Sequence, residues 1–152
     1  MRRLAVLTCV LSLSPLVQAD SPLGIGTWVQ RRASAQDGAL TLTVEEAGNG
    51  LKLTYHIVGP NAPEPIVMTL VTQLDGKDAP VVVNGTPSGQ TMGIRRIDDR
   101  HTSTVVKLQG AEMGTYKSEL STDGKVLKVE NMMAAPGGIG QATTSVEYWD
   151  KK

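Results

Sequence analysis

The sequence predicts an all-β fold: an antiparallel up-and-down β-barrel of about eight to ten strands. Three observations carry that expectation. Short runs alternate apolar and polar residues with a period of two, the pattern of strands with one buried face. Turn dipeptides punctuate these runs at Asp37-Gly38, Asn49-Gly50, Asp75-Gly76, Asn84-Gly85 and Asp123-Gly124, and each favours the positive φ of a tight turn. No segment sustains a 3.6-residue period over three turns, so no helix is expected. The links between runs are mostly of hairpin length, which favours a barrel over a sandwich, because Greek keys need longer crossovers.

Residues 1–19 read as a leader. Arg2 and Arg3 give a basic start, and Leu4 to Leu13 is an apolar run broken only by Thr8 and Ser12. Val17-Gln18-Ala19 then offers a small-residue cleavage site before Asp20. These are the three regions of a secretory signal peptide. The run is shorter than the roughly 20 apolar residues of a membrane span, and no later stretch reaches that length, so no membrane span is expected. The surroundings of Arg2-Arg3 do not extend a twin-arginine motif. Cys9 lies inside the apolar run rather than after it, so it does not read as a lipid attachment site. The expectation is an exported chain, periplasmic or extracellular, with residues 20–152 forming one domain.

The strands follow in order. Val29 and its neighbours form a first strand. Leu40, Leu42 and Val44 alternate with Thr41, Thr43 and Glu45, and Leu51, Leu53, Tyr55 and Ile57 alternate with Lys52, Thr54 and His56. Gly48-Asn49-Gly50 joins these two as a hairpin. Pro60, Pro63 and Pro65 make residues 59–65 a loop. Ile66 to Leu74 is the next long strand, with Met68, Leu70 and Leu74 on one side. Val81 to Val83 reads as short, bounded by Pro80 and Pro87. Thr91–Ile97 and Thr102–Leu108 flank a tight connection, as do Thr115–Leu120 and Val126–Asn131. Residues 134–142 read as a Gly/Ala loop, and Thr143 to Trp149 is the last strand.

Composition narrows the function. Residues 20–152 carry thirteen Lys and Arg against fifteen Asp and Glu, a formal charge of −2. No basic stripe is present to follow a phosphate backbone, so nucleic acid is not expected as a partner. The expected mature domain has no cysteine. It is an exported domain without disulfides or thiolate metal sites, held by an ordinary core.

Gly26-Thr27-Trp28 resembles the Gly-x-Trp signature that opens lipocalins and other calycin barrels. Further pieces in matching order are Asp75-Gly76-Lys77-Asp78 with Pro80-Val81, Arg96-Ile97-Asp98, and Asp123-Gly124-Lys125 with Leu127. Val146-Glu147-Tyr148 with Asp150-Lys151 closes the series. Together they look like a group of small secreted bacterial lipocalin-like proteins, over nearly the whole expected mature chain. The resemblance implies that Gly26 and Trp28 close one end of the barrel. It also implies that Trp28 packs beneath a basic residue near the last strand, with Lys151 and Lys152 as counterparts. The nine residues 31–39 cannot hold the two helices that fatty-acid-binding proteins insert after their first strand.

Catalytic signatures are absent. There is no Gly-x-Ser-x-Gly elbow, and Asp75, Asp78, Asp98 and Asp99 fall in turns, where Asp bonds to backbone. His56 and His101 are too few for a zinc site of three or four ligands. No metal or cofactor is expected, nor an enzyme. The expected activity is binding of a small hydrophobic or amphipathic ligand among Leu42, Leu53, Met68, Met92 and Ile94. Arg96 is the candidate for gripping a ligand carboxylate. Its other reading is an ion pair with Asp98 or Asp99 across the hairpin. The alternative function is a protein-interaction or inhibitor module with a solid core, touching an unidentified protein partner through loops 31–38 or 132–142.

Overall fold

The structure is a computed structural model, described over residues 21–31, 38–60, 64–135 and 141–152. The leader, residues 1–19, lies outside the described residues. The period-two pattern becomes ten strands: β1 (Gly26–Gln30), β2 (Ala39–Ala47), β3 (Gly50–Val58), β4 (Ile66–Thr72), β5 (Asp75–Val83), β6 (Thr86–Arg96), β7 (His101–Leu108), β8 (Ala111–Leu120), β9 (Val126–Met133) and β10 (Thr143–Lys151). Each strand pairs antiparallel with its neighbours in sequence, and β1 pairs with β10 to close the ring. The fold is therefore a closed up-and-down barrel without helices among the described residues, and no helix is long and apolar enough to cross a membrane.

Closure removes the strand edges that an open sheet would expose. The closing seam is short: Trp28, Val29 and Gln30 face Lys151, Asp150 and Trp149. The β9–β10 ladder, by contrast, runs from Thr143 opposite Met133 to Asp150 opposite Val126.

Alternation sends one face of every strand inward. Leu42 and Val44 on β2, Leu53 on β3, Leu70 on β4, Val81 on β5, Met92 and Ile94 on β6, Val106 on β7 and Leu127 on β9 are buried together with Trp28 and Trp149. Burying an aliphatic side chain of this size stabilises by about 1.5–3 kcal/mol.

Up-and-down order sorts the connections to two ends. The turns after β2, β4, β6 and β8 share the basal end with residues 21–25, which lead into β1. The turns after β5 and β7 lie at the upper end, with the ends of β1, β3 and β9 and the starts of β2, β4 and β10. Asn84 and Gly85 have φ of 47° and 81°, and Gln109 and Gly110 have 50° and 85°. Positive φ at both central residues is the type I′ geometry that matches strand twist.

Several strands depart from the sequence reading. β6 starts at Thr86 and runs through Pro87 instead of starting at Thr91, β8 starts at Ala111 instead of Thr115, and β4 stops at Thr72, short of Leu74. β5 differs most. Instead of Val81 to Val83 alone, β5 spans nine residues and runs through both Asp75-Gly76 and Pro80. The turn before it is Gln73-Leu74, with Leu74 at φ 57°. Pairing with β6 shifts register between Asp75 and Asp78 and again between Pro80 and Val82. A bulge takes the extra residue out of the ladder, and it is one of the places where a strand tolerates a proline that has no N–H.

Candidate functional site

The basal end is closed by the residues before β1. Pro22 and Leu23 are buried, and the Trp28 indole Nε1 donates to the carbonyl of Gly24 at 3.0 Å. Trp28 has no exposed surface. Lys151 of β10 lies over its ring, with Nζ 5.6 Å from the centroid. Gly26 sits at φ 135°, and a Cβ there would stand 2.9 Å from Lys151 Cε. The glycine thus leaves room for the lysine stem to lie along the seam, over the tryptophan.

Above this floor the barrel is hollow. A cavity of about 200 Å³ is lined by Leu42, Leu53, Met92 and Ile94 at its middle, with Leu23 and Leu127 toward the basal end. Leu40 and Val129 extend the apolar wall upward. The side chains project here because they occupy the inward alternation of β2, β3, β6 and β9. Met68 packs against the core but is not part of the cavity wall.

The wall carries two groups of polar residues. Toward the basal end, Thr102 and Ser118 face each other on β7 and β8 and share a buried hydroxyl–hydroxyl hydrogen bond. Thr104 lies next on the same face. Toward the upper end stand Tyr55, Tyr116, Asn131 and Glu147. Asn131 Nδ2 donates to Glu147 Oε1 at 2.8 Å and reaches Ser145 Oγ at 3.3 Å. Glu147 makes no ion pair within 4.0 Å among the described residues. Burial pushes the Tyr55 hydroxyl well above its ordinary range, with the neighbouring Tyr116 and the Glu147 charge adding to it. Burial and then Glu147 likewise raise Tyr116. Trp149 stands edge-on to Tyr55, centroids 6.3 Å apart and planes at 72°. Its Nε1 is buried without a hydrogen-bond partner.

Arg96 is placed elsewhere. It continues the inward alternation of Met92 and Ile94, but it sits at the strand end, where the barrel wall stops. Its guanidinium turns into an open basal bowl of about 1150 Å³ and pairs with Asp99 at 2.5 Å. The Asp99 side chain is 86% exposed, so the pair adds little stability. The inner cavity, as far as it is described, contains no arginine to hold a carboxylate. Arg95 points outward and is exposed.

The histidines are apart from the cavity. His56 is exposed on β3. His101 Nδ1 lies 2.8 Å from Asp98 Oδ1, and its Nε2 is 3.8 Å from Glu119. Asp98 also accepts from the backbone N–H of Arg100 and His101, and the Arg100 bond does most to hold its carboxyl below the usual range. Residues 32–37 and 136–140, in the loops considered as a partner surface, lie outside the described residues.

Alternation on β3 marks Tyr55 as inward, and the structure adds Tyr116, Asn131, Glu147 and Trp149 to the cavity wall. Their signal was alternation: Ser145, Glu147 and Trp149 share one face of β10, and Val129 and Asn131 one face of β9.

Comparison with known protein families, with curated proteins and with solved structures finds no match for this chain.

Proposed function

We propose that this protein is an exported, non-enzymatic, lipocalin-like carrier that holds a small ligand inside its barrel. The observation that supports the reading is the hollow of about 200 Å³ walled by Leu42, Leu53, Met92 and Ile94. Protein interiors are otherwise packed with few voids larger than a water molecule. A void of this size forfeits packing that Leu or Phe would supply, and a ligand restores it. An engineered apolar cavity of about 150 Å³ accepts benzene, so the hollow suits one ring with a few further atoms. A long-chain lipid exceeds it. Export rests on the basic start, apolar run and Val17-Gln18-Ala19 site of the leader.

Native mass spectrometry of residues 20–152, followed by solvent extraction, tests the carrier reading. The expected result is a co-purifying small molecule, or saturable uptake of benzyl alcohol by the emptied protein. A protein that arrives empty and takes up no single-ring probe overturns it.

A further inference from the structure

The carrier reading leaves open what the ligand carries besides its apolar body, and the charges on the wall address this. Among the described cavity residues, Glu147 is the one with a formal charge, and Lys, Arg and His are absent. Its carboxylate is steadied by Asn131 Nδ2 at Oε1 and meets no cation within ion-pair distance among the described residues. Around it stand the rings of Tyr55, Tyr116 and Trp149.

We propose, resting on the carrier reading, that the cavity selects a small organic cation: a protonated amine on a body about the size of one ring. Glu147 is half-buried, and an ammonium supplies an ion-pair partner that it lacks among the described residues. Aromatic faces attract the same group through their quadrupoles. Burial does most to disfavour ionisation of Tyr55 and Tyr116, and the smaller contribution of the Glu147 charge, felt by both, is the one that favours a positive guest. A carboxylate ligand would meet the opposite situation, a like charge with no basic residue among the described wall residues to offset it, since Arg96 faces the basal bowl.

Three probes of matched shape separate the possibilities: benzylamine, benzyl alcohol and benzoate, titrated calorimetrically into the protein at neutral pH. The expected order is benzylamine tightest, by about tenfold or more over benzyl alcohol, with benzoate weakest. Glu147→Gln keeps the shape and an acceptor for Asn131 while removing the charge. It should bring benzylamine down to the level of benzyl alcohol and leave the alcohol unchanged. If benzyl alcohol binds and benzylamine binds no tighter, or if benzoate equals benzylamine, cation selection is overturned and the carrier reading stands. A preference for amine that survives in Glu147→Gln overturns the role of Glu147. Failure of all three probes overturns both readings. The wild-type comparison decides the question even if the variant does not fold.

Discussion

Lys151 Nζ and the Trp28 ring face each other across the closing seam, 5.6 Å apart, on strands whose Cα atoms are register partners. The tryptophan is fully buried and the lysine is exposed, so the two halves of the contact differ in weight. Trp28→Ala should cost about 3–5 kcal/mol, the range for truncating a buried large aromatic. Lys151→Ala should cost about 0.5–1 kcal/mol, the range for an exposed cation–π pair, and Lys151→Arg should restore it. Urea denaturation of the three variants checks the order. Equal costs for Trp28→Ala and Lys151→Ala would contradict it.

The buried Thr102–Ser118 pair should show strong coupling. Thr102→Val alone strands the Ser118 hydroxyl, and Ser118→Ala alone strands the Thr102 hydroxyl. Each should cost about 1–3 kcal/mol, the price of an unsatisfied buried group. The double variant removes both and should be more stable than the sum of the singles implies. A double-mutant cycle by chemical denaturation reads the coupling directly. Simple additivity would mean that the hydroxyls do not satisfy each other.

Two glycines of one hairpin should respond differently to alanine. A Cβ at Gly50 would lie 2.1 Å from the Thr72 carbonyl oxygen, so the β3–β4 backbone would have to move. At Gly48 nothing lies within 4 Å, and the strain is confined to its φ of 58°. Gly48→Ala should therefore cost about 1 kcal/mol, and Gly50→Ala clearly more. Thermal midpoints in the reverse order would show that the backbone yields more easily than the packing suggests.

Stability should fall in acid partly through Asp150. Arg31 donates to it twice, Nε to Oδ2 at 2.7 Å and Nη2 to Oδ1 at 2.6 Å. The Arg31 hydrogen bonds hold its carboxyl below the ordinary range. A lowered folded-state value means that the charged form stabilises the fold. That contribution is complete above the unfolded value of about 3.9 and is lost as pH falls through the lower folded value. The gap in midpoint between wild type and Asp150→Asn should be full at about pH 6 and narrow as pH is lowered toward about 2. Both side chains are half exposed, so added salt should shrink the gap as well. A gap constant across that range would remove Asp150 from the acid response.

Much of the fold was legible because alternation and turn chemistry are local. Leu40-Leu42-Val44 and Leu51-Leu53-Tyr55 announce their buried faces, and Asn84-Gly85 announces its turn. The first half of β5 was not legible, because Asp75-Gly76 and Pro80 carry the chemistry of turns. Only pairing with β6 and two register shifts make those residues a strand. Gln109-Gly110 lacks an Asn or Asp, yet adopts the same geometry as Asn84-Gly85.

The cavity was half legible for a related reason. Leu42, Leu53, Met92 and Ile94 follow from alternation alone. Met68 shares that alternation but packs into the core. Arg96 shares it too, but strand parity does not say where the wall ends, and the arginine lies past that point. Tyr116 meets Glu147 across the single strand β9, but the meeting of Glu147 with Tyr55 depends on ring closure, which brings β10 near β3.

The brevity of the β1–β10 seam has a kinetic meaning. Its partners are the most distant in the chain, so the ring completes only when residues near 28 find residues near 150. Bringing such remote segments together is slow compared with forming hairpins. Until then the nascent sheet has two raw edges, at β1 and β10, each able to recruit a strand from a neighbouring molecule. Loss of residues 143–151 would make that transient condition permanent. The last strand therefore acts as a clasp, and its loss should convert a closed barrel into a self-associating open sheet.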